Sequence, residues 1–463
     1  MKPRQLTTLM ILLLVTPNFV FSSLTITAAS TQSQPDLYFG VDVAYESISA
    51  TEELIDKVSN YTNVFIIGCY GNYNETRLTI LSQYTYDKGL AFIVYTDDPR
   101  YPSTRWILDA KTQWGDNFFG IYVYDEPGGK QLDYSKYPAV HSANDYDDAA
   151  EKYINAMSWY TNLFKMNFSY PTRYQLFTSD YALYWYDYKA GYDTVFAEFG
   201  WNYSRQINVA LSRGAATVQN KDWGVMIAWT YTAPPYIESG PELYSDMVLA
   251  YESGAKYIMV FDSNEDWTQG ILEQEHLAAM EQFWQYAKDH PRTNNPVSSR
   301  TAYVLPKNYA YGFRGPEDKI WGLWEADALS TDISMSVASL LQIFGNNIDI
   351  IYPDEQQTAE STGYGSIVNW NDPRLLPPQR PDAPDFPTQP PTPTPAISPT
   401  PNLTPNTTPT PSPIPQASPT EQPTLSPDVA QVNSLPTVLG FGAGFFIAIG
   451  VATAIILKLK KKR

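Results

Sequence analysis

Eight times between residues 38 and 264 a short apolar run breaks off into acidic, hydroxylic or aromatic residues and gives way to a longer stretch of helical character. The runs are YFGVDVAY (38–45), NVFIIGCYG (63–71), LAFIVYTDD (90–98), FFGIYVYDE (118–126), YQLFTSD (174–180), DTVFAEFG (193–200), GVMIAWTYT (224–232) and KYIMVFDSN (256–264). Runs this uniformly apolar fit strands covered on both faces, the condition of a parallel sheet. The segments between them, such as SATEELIDKVSNY, DDAAEKYINAMSWYTNLF and LEQEHLAAMEQFWQYAKDH, read as helices. Ser49 or Thr51, with a glutamate two or three places on, marks the first helix start. Gly89, Gly191 and Gly254 each stand where a helix should close before the next strand. Strand–helix alternation predicts an α/β fold, and eight units in roughly 255 residues fit a (β/α)8 TIM barrel over residues 36–292. The rival, a doubly wound open sheet, would carry a glycine-rich phosphate loop after its first strand, and none is present.

Beyond the barrel, TAYVLP (301–306), DISMSVASLLQIFG (332–345), NIDIIYPD (347–354) and GSIVNW (365–370) predict a small α/β accessory domain over residues 299–372. Its segment 312–325, GFRGPEDKIWGLWE, either packs between the two parts or reaches over the barrel mouth. Residues 373–436 are dominated by Pro, Thr, Ser and Gln and cannot bury a core, so they read as an extended linker or stalk. Residues 437–457 carry no charge and are long enough for one transmembrane helix; residues 458–463 are a basic tail, cytoplasmic by the positive-inside rule. Residues 1–30 read as a secretory signal peptide. The expectation is a single-pass cell-membrane protein with its N-terminal domains extracellular. Six Asn-x-Ser/Thr triplets, at Asn60, Asn74, Asn167, Asn202, Asn402 and Asn406, fit a glycoprotein.

The formal net charge of −18 argues against nucleic acid as a partner. The lone cysteine, Cys69, forbids an intrachain disulfide and reads as a buried small hydrophobe. His141, His276 and His290 lack ligand spacing, so no metal is expected, and no cofactor motif is present. Acids and aromatics gather instead at the strand ends, which converge on one mouth in a barrel: Asp97, Asp98, Asp125, Glu126, Asp180, Glu198 and Asp262, with Asp42 inside strand one. Carboxyl pairs beside flat rings suit carbohydrate chemistry. Glu126 is the candidate acid/base, with Glu198 its first partner and Asp262 in reserve. Asp42, Tyr45, Asp98, Tyr124, Asp125, Trp201, Trp229 and Tyr231 are candidates for substrate binding. Strand alternation would point Tyr122, Tyr124 and Glu126 the same way.

Asp125-Glu126-Pro127 resembles the Asn-Glu-Pro in which many retaining TIM-barrel glycoside hydrolases carry their acid/base on strand four. GIYVYDE resembles the strand-four pattern of chitinase-like barrels, whose acid is the final Glu. Both resemblances imply a proton-donor role for Glu126. Asp125 stands in place of Asn, Tyr122 and Tyr124 stand where chitinase-like enzymes hold aspartates, and strand seven lacks the nucleophilic Glu of the first group. The accessory domain resembles those of some beta-galactosidase-like enzymes. The resemblance implies a glycoside hydrolase acting on polysaccharide or glycan; the alternative is a non-catalytic carbohydrate-binding or surface-coat protein.

Overall fold

The computed structural model describes residues 36–68, 73–135, 137–166, 174–293, 295–315, 317–354 and 359–375. Cys69, Asn167, Asn402, Asn406, the leader and the apolar C-terminal segment lie outside the described residues, as does the linker beyond residue 375. The chain divides into two units, Met1–Thr392 and Pro393–Arg463, and every described residue belongs to the first.

Eight parallel strands close into a barrel in sequence order: β1 Tyr38–Val43, β2 Val64–Ile67, β3 Ala91–Thr96, β4 Phe118–Val123, β5 Gln175–Asp180, β6 Thr194–Phe199, β7 Asp222–Ile227 and β8 Tyr257–Asp262. The helices are α1 Ile48–Val58, α2 Glu75–Asp87, α3 Thr104–Trp114, α4 Pro127–Leu132, α5 Tyr146–Met166, α6 Tyr184–Lys189, α7 Arg205–Gln219, α8 Gly240–Glu252 and α9 Gln274–Asp289. The first helix starts one turn earlier than its glutamates imply, because Ser47 accepts from the Ala50 amide and acts as its N-cap.

Side-chain alternation sorts the strands into two apolar layers. Tyr38, Val64, Ile66, Ile93, Phe177, Phe196, Tyr257 and Met259 fill the barrel interior. The opposite parity, with Phe39, Val41, Phe65, Phe92, Val195, Val225 and Val260, packs outward beneath the helices. On β4 the parity slips. The β3–β4 register shifts between Phe92 and Ile93, and both Phe119 and Tyr122 belong to the interior layer although they are three residues apart. The bulge is possible because Gly120 lies against β5: a Cβ there would sit 1.9 Å from the Gln175 carbonyl oxygen.

A three-stranded parallel sheet, ordered β10-β9-β11, follows the barrel. Its strands are β9 Thr301–Val304, β10 Ile348–Ile351 and β11 Ser366–Asn369, with α10 Ala328–Phe344 between the first two. It docks on α7 through Arg213, whose Nε donates to Asp349 Oδ1 at 2.7 Å. Segment 312–325 packs between the two parts rather than over the mouth. Trp321 is fully buried, with its ring against Tyr153 and Tyr186. Its carbonyl accepts from Gln131 Nε2 on α4 at 2.9 Å. Arg314 binds both Asp318 and Asp133, the residue that caps α4. The accessory unit therefore braces the short helix that follows Glu126.

Candidate active site

The interior parity at the C-terminal end of the strands brings Asp42, Tyr95, Tyr122, Ser179, Glu198, Met226 and Phe261 to one cavity of about 620 Å³. That volume is within the range of small-molecule sites. The loops that follow β4, β6, β7 and β8 complete it with Asp125, Glu126, Lys130, Tyr137, Trp201, Trp229 and Trp267. One wall is aromatic: Trp229 stacks on Trp267, with ring centroids 5.7 Å apart and planes 18° apart. The other wall carries carboxyl groups.

Glu126 reaches the cavity through an irregular turn. Tyr124 and Glu126 have φ of 57° and 50°, left-handed values that cost non-glycine residues about 1–3 kcal/mol each. The turn is held on three sides. The Glu126 amide donates to the Ser179 carbonyl at 3.0 Å. Thr178 Oγ1 donates to the Tyr124 carbonyl at 2.7 Å. Asp180 accepts from the amides of Gly128 and Gly129, at 2.5 and 2.8 Å. Both glycines are required sterically, since a Cβ on Gly129 would meet the Tyr181 ring at 2.0 Å and one on Gly128 would meet Asp180 and Leu183. Trp201 and Trp267, with φ of 46° and 57°, are strained in the same way and also line the cavity. Left-handed residues thus gather at this mouth, which is where a functional site concentrates strain.

Tyr122 donates to Asp125, and its hydroxyl lies 2.6 Å from Ser179 Oγ. Ser179 Oγ lies 2.8 Å from Asp125 Oδ1 and 2.5 Å from Glu198 Oε1. Glu126 and Glu198 line the same cavity, and the charge of Glu126 disfavours ionisation of Glu198. Burial, then the charge of Asp125, push the Glu126 carboxyl up to about 8 against the opposing pull of Lys130. Burial, followed by Glu126 and Asp125, also holds Glu198 well above the usual carboxylate range. Asp42 is raised by burial and by Asp125. Lys130, which extends back from α4, donates to the Asp125 carbonyl at 2.6 Å and lies 3.8 Å from Glu126 Oε2. Burial disfavours its charge, yet Asp125 and Glu126 outweigh that and keep it protonated. The arrangement is a pair of carboxyl groups with raised pKa values, with Lys130 beside Glu126, in a cavity that Trp229 and Trp267 also line. Among the described residues, no group of three or more His, Cys, Asp or Glu is arranged to hold a metal ion.

No family model matches this chain, and no curated protein matches it. Solved structures similar to it include a beta-mannanase from the blue mussel Mytilus edulis, 9% identical over 55% of this chain and 93% of that one, with a TM-score of 0.38. They also include the hyperthermostable endo-1,4-beta-D-mannanase of Thermotoga petrophila RKU-1, at 8% identity, 54% and 99% coverage and a TM-score of 0.37. The D-psicose 3-epimerase of Clostridium cellulolyticum H10, with D-tagatose, is 10% identical at 56% and 100% coverage and a TM-score of 0.31. At such values the likeness carries no argument about chemistry, which rests on the side chains alone.

Of the expected site residues, Glu126, Glu198, Asp42, Tyr124, Asp125, Trp201 and Trp229 line the cavity, and so does Asp97. Four do not. Asp262, the reserve catalytic acid, has the outward parity on β8. Its Oδ1 accepts from the Ile271 and Leu272 amides at 2.5 and 2.9 Å, so it fastens the loop before α9. Tyr45 shares that parity and donates to Asp262 Oδ2 at 3.3 Å. Asp98 turns to solvent and pairs with Arg100. Tyr231 lies on the rim, 46% exposed. Tyr122, Tyr124 and Glu126 all line the cavity, but not through strand alternation, because β4 ends at Val123 and the left-handed turn starts at Tyr124. The Tyr124 ring also packs on the Tyr160 ring, 4.8 Å away. Sequence reading missed Lys130 and Ser179. The Glu126–Lys130 spacing of four was a usable signal; nothing local marked Ser179.

Proposed function

We propose that this protein is a glycoside hydrolase that cleaves glycan chains with Glu126 as proton donor and Glu198 as nucleophile. The observation that carries this reading is a pair of carboxyl groups, Glu126 and Glu198, that line one aromatic-walled barrel mouth and are both held above the ordinary carboxylate range. Retaining glycosidases hold their carboxyls about 5–5.5 Å apart, whereas inverting ones leave about 6.5–9.5 Å for a water. A Glu198 that acts as nucleophile belongs to the first class.

In the first step a Glu198 oxygen attacks the anomeric carbon as the bond to the leaving oxygen breaks, and the Glu126 proton passes to that oxygen. In the second, Glu126, now a carboxylate, takes a proton from water. The resulting hydroxide equivalent adds to the anomeric carbon and releases Glu198. Ser179 hydrogen-bonds Glu198 and favours its ionised form. Lys130 and Asp125 set the Glu126 pKa from opposite sides. Asp42 and Asp97 are placed to accept sugar hydroxyls, with the Trp229–Trp267 stack behind the ring faces.

A second reading, a glycan-binding barrel without catalysis, is favoured by strand β7, where Met226 and Ala228 rather than an acid face the cavity. The two readings separate on incubation with xylo-, manno-, cello- and chito-oligosaccharides followed by proton NMR of the product. Hydrolysis with retained anomeric configuration is expected. Inverted product overturns the Glu198 role, and binding without any hydrolysis establishes the second reading.

The sequence supports an extracellular setting for this chemistry: a leader in residues 1–30, a Pro/Thr-rich stalk in 373–436, a membrane anchor in 437–457 and a basic cytoplasmic tail.

A further inference from the structure

Two further depressions adjoin the cavity on the β6–β7 side. One, of about 470 Å³, is lined by Trp201, Arg205, Tyr231, Glu238, Glu242 and Asp246, among others. The other, of about 410 Å³, runs from Trp201 and Tyr231 to Pro235. Trp201 lines both and the main cavity as well, so the three meet at that residue.

The rim here is built, not loose. The Trp201 amide donates to the Trp229 carbonyl at 2.8 Å, tying the loops after β6 and β7 together. The Thr230 and Tyr231 amides both donate to the Tyr236 carbonyl, at 2.7 and 2.9 Å. Arg205 clamps the Trp201 loop by donating to the carbonyls of Gly200, Trp201 and Tyr203. It is itself fixed by Asp246 at 2.8 Å and Glu238 at 3.2 Å. Tyr137, which also lines the main cavity, is 67% exposed. Large, partly exposed aromatic rings beside an acid-lined cavity are what an occupant longer than the cavity would cover.

We propose that the site takes an internal stretch of a glycan chain, with Tyr231 and Tyr137 as outer stacking platforms. The substrate class is then a polysaccharide or long oligosaccharide cut within the chain, not a terminal sugar. This rests on the glycan reading of the cavity. A sugar ring presents its C–H face to an aromatic platform, and Arg205, Glu238 and Glu242 offer polar partners to the hydroxyls beside Trp201.

The test is calorimetric titration of the full chain carrying Glu126→Gln with xylo-, manno-, cello- and chito-oligosaccharides of two to eight units. Affinity for the bound series is expected to rise at least about tenfold from the shortest to the longest member. Tyr231→Ala or Tyr137→Ala, added singly, is expected to weaken the longest member about tenfold, with a loss that grows with chain length. Affinity independent of length, or a loss equal at every length, overturns the inference and leaves the cavity's glycan reading standing. Binding of none of the four series overturns both. Product release by the unsubstituted protein adds a separate readout: mixed mid-length fragments agree with the proposal, and single sugars or dimers released from one end contradict it.

Discussion

Glu126→Gln is expected to lower kcat/KM by about 10³-fold on a natural oligosaccharide, a loss in the range for removal of a general acid. The amide keeps the shape of the carboxyl, so folding and sugar binding should survive. The loss should be smaller on a nitrophenyl glycoside, whose leaving group departs without a proton. The pH profile of the unsubstituted enzyme carries the sign. Burial and Asp125 raise the Glu126 pKa to about 8, so the donor is protonated below that value and is lost as pH rises through it. Activity should therefore fall on the alkaline side with a midpoint near 8, a limb that Glu126→Gln removes. A glutamine variant within threefold of the parent on the oligosaccharide, on the order of 0.7 kcal/mol in barrier, would exclude Glu126 as the acid.

The second large effect belongs to stability. Asp349, fully buried on β10, accepts from Arg213 Nε and Arg300 Nη1 at 2.7 Å each and from the Tyr364 hydroxyl at 2.9 Å. Asp349→Ala leaves two buried guanidinium groups without their counter-charge. The expected cost is about 3–5 kcal/mol, the range for breaking a buried ion pair from one side. Replacing all three charged residues together by well-packed apolar ones should cost far less, since no orphaned charge then remains. Urea unfolding followed by circular dichroism measures both. An Asp349→Ala midpoint equal to that of the parent would mean that the pair contributes nothing to holding the accessory sheet on α7.

Much of the barrel was legible because its strands are buried on both faces and read as uninterrupted apolar runs. The site was legible only in part. Glu126 and Glu198 announced themselves as acids in apolar strand contexts. The rest depended on parity, which a sequence conveys only while a strand stays regular. The bulge at Gly120 resets β4, and the left-handed turn from Tyr124 to Glu126 ends its alternation. Asp262 and Tyr45 looked equivalent to Glu198 and Asp42 by position, yet lie one residue out of phase and face the helices. Ser179 looked like any strand hydroxyl. Its place between Asp125 and Glu198 comes from the pairing of β5 with β6, a long-range fact with no local signal. Asp180, one residue further on, faces the other way and caps the Gly128-Gly129 turn.

The central claim is that Glu126 still holds its proton near neutral pH, in the cavity it lines with Glu198. Carbon-13 NMR of the chain labelled at its glutamate side-chain carboxyls measures this directly, with Glu126 and Glu198 assigned by their glutamine variants. The account predicts a carboxyl that still titrates at about pH 8 and whose transition disappears in Glu126→Gln. If both carboxyls titrate independently below about pH 5, in the ordinary glutamate range, the pair holds no proton and the proposed donor does not exist.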